Sequence, residues 1–214
     1  MSYDQPQRAF CLQQVLSRSI MALEKYIENI CLDTSPKQQS AGPLEVQDLP
    51  EIPPFPTRPT HHISLEDITT YIQPLVSRQW TVGHICTGVD ENEILSLDRH
   101  YKFKGFNDVM DFVQGVADIS RAEKHHARIV IEYSTVDIVS HTHSAYGFDR
   151  VGEGELEPKK VPGLTRRDVR FAIKIEELHE TFKERGRTVQ SVPADLTQLQ
   201  HRSMKSVLRR YSQK

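Results

Sequence analysis

The sequence predicts an α+β fold, an antiparallel sheet with helices on one face. Three patterns lead there. Leu95, Leu97, Arg99, Tyr101 and Phe103 alternate with Ser96, Asp98, His100 and Lys102, the period of a half-buried strand. Phe106, Val109, Met110, Val113, Val116 and Ala117 then follow helical spacing, and Val169, Ala172, Ile173, Ile175 and Leu178 do so again further on. Between the two helices lies the β-branched run RIVIEYSTVDIVSHT, which has the composition of strands. With a first helix ahead of them the order becomes helix, strand, helix, strand region, helix. So few strands in a chain of 214 residues favour antiparallel pairing over parallel crossovers.

From the N-terminus, Leu12, Leu16, Ile20, Leu23, Ile27 and Ile30 draw one apolar stripe and predict an accessory helix within residues 1–33. An organelle-targeting helix is the competing interpretation, but Asp4, Glu24 and Glu28 are present and arginine is sparse, against the composition of such presequences. Seven of the twelve prolines, Pro36, Pro43, Pro50, Pro53, Pro54, Pro56 and Pro59, fall in residues 34–60, where missing amide donors and fixed φ predict a linker. A compact domain is expected over 61–185. It opens with Ser64 as a cap and acidic residues in the first turn of a helix over about 65–77. Gly105 ends the alternating strand, and no proline interrupts the helix over 106–124. The β-branched run is long enough for one strand or for two joined near Ser134 and Thr135. Residues 145–162 hold three glycines and two prolines and are expected to be a mobile loop. Thr165 and Asp168 stand at capping-box spacing at the start of the last domain helix. Residues 186–214 form a tail with a further helix, basic from His201 onward, where five Lys or Arg occur and no acid.

Composition narrows the functional classes. With Lys+Arg 27 against Asp+Glu 29, a net charge of -2 makes no electrostatic case for nucleic acid or an anionic membrane as the main partner. Cys11, Cys31 and Cys86 are odd in number and in no ligand spacing, which points to free thiols in a reducing compartment. No apolar run approaches the length of a membrane span, and no secretory signal opens the chain. The expectation is a soluble cytoplasmic protein, with the mitochondrion as the alternative compartment.

The chemistry concentrates in AEKHHARIVIEYSTVDIVSHTHS, which holds His125, His126, His141 and His143, four of the ten histidines. Imidazole is the side chain whose ordinary pKa lies nearest neutrality, so a group of them suggests proton transfer or metal ligation. Residues two apart in a strand face the same way, which puts His141 and His143 on one side and Thr142 on the other. Metal ligation is disfavoured by the absence of HExxH or CxxC spacing. Acid/base catalysis without metal fits an unassisted cluster. The plain alternative has His125 and His126 capping a helix C-terminus and His141 at the surface.

The same segment, followed by GLTRRDVRFAIKIEEL and preceded by Trp80 and RHYKFKGFNDVMDFVQGVADISRAEKHH, resembles the pterin-4a-carbinolamine dehydratases. Their pattern reads as a paired His, Tyr-x-x-Val, Thr-His, then Gly-Leu-Thr/Ser-x-x-Asp, and the resemblance covers about residues 64–182. It implies a four-stranded antiparallel sheet with three helices, usually assembled as a homodimer or homotetramer. It implies dehydration of 4a-hydroxytetrahydrobiopterin to quinonoid dihydrobiopterin, with no metal and no cofactor. Carried over by motif, His125, His126 and His143 are the catalytic set, with Trp80 and Asp168 as substrate-binding wall; His141 lies outside the pattern. The chain departs from relatives at Ala127, where proline is common, at Ser144, where an acid is common, and in the insertion 145–162. A weakly catalytic dehydratase-like module, docking a protein partner through the N-terminal helix or the basic tail, is the alternative from another class.

Overall fold

The computed structural model describes residues 46–86, 93–151 and 155–189. The predicted N-terminal helix with Cys11 and Cys31, the first part of the proline-rich segment and the basic tail beyond residue 189 lie outside the described residues. Within them the chain forms helix α1 (Leu65–Asp67, a π-helical stretch Ile68–Ile72, and Gln73–Ser77), β1 (Thr81–Cys86), β2 (Glu93–Lys102), α2 (Phe106–Glu123), β3 (Arg128–Glu132), β4 (Thr135–Ser140), β5 (Tyr146–Val151), β6 (Glu155–Lys160) and α3 (Arg166–Glu184).

The main sheet has strand order β1-β2-β4-β3, and every neighbouring pair is antiparallel. Its register explains its sidedness. Val82 pairs with Leu97, Tyr101 with Val136, and Ile138 with both Arg99 and Ile129, and directly opposed residues share a face. Leu97, Tyr101, Phe103, Val136 and Ile138 are buried, as are Val109, Phe112 and Val116 of α2 and Phe171, Ile175 and Phe182 of α3; Tyr101 packs on Phe112, and Phe103 on Phe112 and Phe182. The helices therefore sit on one face, as the alternation in β2 predicts.

Local chemistry sets the helix ends. Ser64 Oγ accepts from the Asp67 amide while the Asp67 carboxylate accepts from the Ser64 amide, so two of the donors a helix start leaves unpaired are satisfied at once. Gly105 is the N-cap of α2, and Lys124, in the left-handed region at φ 48, closes it with its amide directed at the Arg121 and Ser120 carbonyls. The helices are cross-linked by charge. Arg166 donates to Asp67 at 2.9 Å, and Arg170 donates to both oxygens of Glu123 at 2.8 and 3.0 Å. Gly115 lets α2 approach α3, since a Cβ there would lie 2.7 Å from Leu178 Cδ2.

Two parts differ from expectation. Residues 145–162 are not a structureless loop. They form the hairpin β5–β6, with Tyr146 opposite Lys160 and Val151 opposite Glu155. Its base is fixed to the preceding chain, because the Tyr146 amide donates to the Thr60 carbonyl and the Val161 amide donates to the Ala145 carbonyl. The glycines and Pro158 that suggest a loop are compatible with a two-stranded ribbon, in which both strands are edges. Residues 46–60 have no helix or long strand, but they lie against the helices. The Gln47 amide donates to Ser77 Oγ at 3.1 Å, and Phe55 sits beneath the guanidinium groups of Arg167 and Arg170.

Candidate active site

Asp168 is the hub, fully buried in the first turn of α3, and its carboxylate accepts hydrogen bonds from three separate parts of the chain. From the α2–β3 junction, His125 Nε2 lies 2.8 Å from Oδ1. From the end of β4, Ser140 Oγ donates to Oδ1 at 2.8 Å and Thr142 Oγ1 to Oδ2 at 2.7 Å. From the helix itself, the Thr165 amide and hydroxyl donate to Oδ2 at 2.9 and 3.1 Å. Burial pushes the Asp168 pKa up, but the hydrogen bond and charge of His125, with those of Thr142 and Thr165, outweigh it and leave the carboxyl below the usual range. An ionised Asp168 accepts a hydrogen bond from His125 Nε2–H, which fixes a proton on that ring nitrogen.

The backbone explains why adjacent histidines part company. The left-handed turn at Lys124 ends α2, the His125 amide donates to the Ser120 carbonyl, and the His125 ring turns inward to Phe171 at 5.5 Å and to Asp168. His126 is left exposed on the outside. At the same end of the sheet, just past β4, Thr142 is clamped by reciprocal backbone hydrogen bonds with Gly163 at 2.9 and 3.1 Å while its hydroxyl points at Asp168. His141 and His143 leave on the opposite side from Thr142, as strand alternation requires. The His143 ring stacks on His126 with centroids 5.7 Å apart and planes 30° apart, and His141 meets His143 at 4.3 Å and 67°.

Of the three residues expected to be catalytic, His126 and His143 lie side by side at the surface, and His125 is buried and anchored to Asp168. Asp168, expected at the substrate-binding wall, is 0% exposed and meets the histidine segments through His125, Ser140 and Thr142. Trp80 also corrects expectation. Its ring is fully buried, its indole N–H donates to Glu176 at 2.9 Å, and its edge packs on Tyr101 at 6.4 Å, so it belongs to the core and offers no face to a ligand. His141 is the residue the motif leaves out and the fold brings in; the strand period is the signal that places it beside His143. Among the described residues, no group of three or more His, Cys, Asp or Glu is arranged to hold a metal ion.

The family model for pterin 4 alpha carbinolamine dehydratase matches residues 61–151. A relative from Thermomicrobium roseum, named for pterin-4-alpha-carbinolamine dehydratase, is 34% identical over 83 residues, which are 39% of this chain and 72% of the relative. The chain belongs to the pterin-4a-carbinolamine dehydratase family. A relative of the same name from Saccharophagus degradans is 30% identical over 87 residues, 41% of this chain and 63% of its own length. Pterin-4-alpha-carbinolamine dehydratase 2, mitochondrial, of Arabidopsis thaliana is 32% identical over 90 residues, 42% of this chain and 40% of that protein. In this dehydratase-family chain the matched segment ends before α3, so Thr165 and Asp168 lie beyond it. Their hydrogen bonds to His125, Ser140 and Thr142 nevertheless make α3 part of the same site.

Proposed function

We propose that the chain removes water from a 4a-hydroxytetrahydropterin, giving the quinonoid dihydropterin, and that its cellular task is to recycle tetrahydrobiopterin after aromatic hydroxylation. The observation that carries this is the pairing of two exposed imidazoles, His126 and His143, 5.7 Å apart, next in the chain to a His125 that is buried on Asp168. The substrate class asks for that arrangement. The C4a–O bond breaks and the hydroxyl leaves with an added proton as water. The adjacent N5–H bond breaks, its electron pair forming the C4a=N5 double bond and its proton going to a base. An acid and a base must therefore act on neighbouring atoms, and two side-by-side imidazoles supply both. The proposed roles are acid and base for His126 and His143, and pterin positioning for His125, whose tautomer Asp168 holds.

The cytoplasm is the proposed compartment; the name of the Arabidopsis relative supports the mitochondrial alternative. Among the described residues no helix is long and apolar enough to cross a membrane. Self-association is also proposed. Strand β3 lies at the sheet edge and exposes Val130 at 36%, Ile131 at 41% and, in the turn beyond it, Tyr133 at 85%, a surface suited to a second copy of the chain.

The test mixes the purified protein with a 4a-hydroxypterin generated by a hydroxylase and follows the ultraviolet change. The expected result is clear acceleration over spontaneous dehydration, with losses of about 10²-fold or more in kcat for His126→Ala and His143→Ala. No acceleration rejects the activity. A fully active His126→Ala protein rejects the residue assignment.

A further inference from the structure

His126, His143 and His141 form a row of three rings, with His143 in the middle, stacked on His126 at 5.7 Å and met by His141 at 4.3 Å. His141 is half-buried, whereas the other two are exposed, and the roles assigned above do not use it. Its backbone is not free to move away. Ser140 before it and Thr142 after it both donate to the Asp168 carboxylate, at 2.8 and 2.7 Å, so the segment that carries His141 is pinned on both sides.

We propose that His141 is a positioning residue of this site: it braces the His143 ring against His126, and by like-charge repulsion it limits the His141–His143 pair to one proton at a time. The proposal rests on the dehydratase reading above. Two imidazolium rings in edge-to-face contact repel, and partial burial weakens the screening that water would give them. The charged groups around His141 are His143 on its own segment, His125 and His126 from the α2–β3 junction, and Asp168 from α3. Desolvation and then His143 hold the His141 pKa below the ordinary imidazole range, with His125 and His126 acting the same way and Asp168 opposing. A proton taken up by the row therefore stays off His141. Dehydration needs a proton donor and a proton acceptor on neighbouring rings, and a neutral His141 beside His143 adds no competing cation to that pair.

Two variants and two readouts test this. His141→Phe keeps an aromatic edge against His143, and His141→Ala removes it. The expected result is a loss of about tenfold in kcat for His141→Ala with KM within about twofold, and retention of at least about half of kcat in His141→Phe above pH 7.5. Wild-type kcat in His141→Ala overturns the bracing role. The second readout needs no catalysis. Imidazole C–H resonances followed by NMR should place the His141 midpoint below that of a free imidazole, and His143→Phe should raise it, since the ring volume stays and the cation goes. A His141 midpoint that His143→Phe leaves unmoved overturns the coupling. If the wild-type protein fails to dehydrate pterins, the activity falls, and the titration still decides whether His141 and His143 share a proton.

Discussion

Replacing Asp168 by asparagine keeps its shape and removes its charge, which isolates what the hub does. The Thr165 amide can only donate, so the new amide must turn its oxygen to the Oδ2 position, where Thr142 and Thr165 converge. Its NH2 then faces His125 Nε2 and Ser140 Oγ, both placed as donors to the native carboxylate. Ser140 can rotate its hydroxyl to accept. His125 has to move its proton to Nδ1 and accept at Nε2, the opposite tautomer. Geometry survives while charge assistance is lost in a fully buried group, so the cost at pH 7 is about 2 kcal/mol; Asp168→Ala, which strands all these donors, costs about 4 kcal/mol. The pH dependence has a definite sign. The folded carboxyl of Asp168 lies below its unfolded range, so its stabilisation is present above the ordinary carboxylate pKa and is lost as pH falls toward the folded value. Urea unfolding of wild type and Asp168→Asn should therefore show a gap that is widest near neutrality and narrows in acid. Dehydratase kcat should fall about 10-fold to 10²-fold with the tautomer change. A variant within about 0.5 kcal/mol of wild type at pH 7, or a gap that does not depend on pH, refutes the hub.

Two further outcomes follow from burial and exposure. His179 sits against Tyr101 with ring centroids 4.7 Å apart, and desolvation, then Arg99, lowers its pKa to about 4. The unfolded chain therefore binds the proton first, and stability falls as pH drops from about 6.5 to about 4, by about 3 kcal/mol in all. His179→Phe should flatten that slope in urea midpoints, and an unchanged slope shows that another group carries it. At the sheet edge, Ile131→Lys puts charge on an exposed apolar strand and should shift the protein toward monomer in sedimentation velocity, whereas equal masses for variant and wild type remove β3 from the assembly.

What could be read from the sequence was local, and what could not was set by partners far along the chain. The starts of α1 and α3 are marked by Ser64 and Thr165, whose capping boxes involve residues at most three positions away, and the start of α2 by Gly105. The division of the β-branched run at Tyr133 and Ser134 is equally local. The hairpin β5–β6 is harder to see, because its base is fixed by Thr60, 86 positions before Tyr146. Trp80 shows the same limit: an aromatic beside a site motif is drawn into the core by Glu176, 96 residues on. Asp168 joins the two cases. A carboxylate at the third helical position is sufficiently explained as a cap, and one oxygen serves that end. The other oxygen meets His125, 43 positions earlier, and that contact turns a structural cap into the group that sets the protonation of a candidate site. The motif spacing identifies which imidazoles belong to the family; only the folded chain shows that His125 turns inward to Asp168 while His126 stays exposed, and that His141 stands beside His143. The division of roles therefore belongs to the sheet ends and the α3 N-terminus jointly. Loosening Thr142 from Gly163 should disturb His141 and His143 together, although neither histidine's side chain bonds to that bridge.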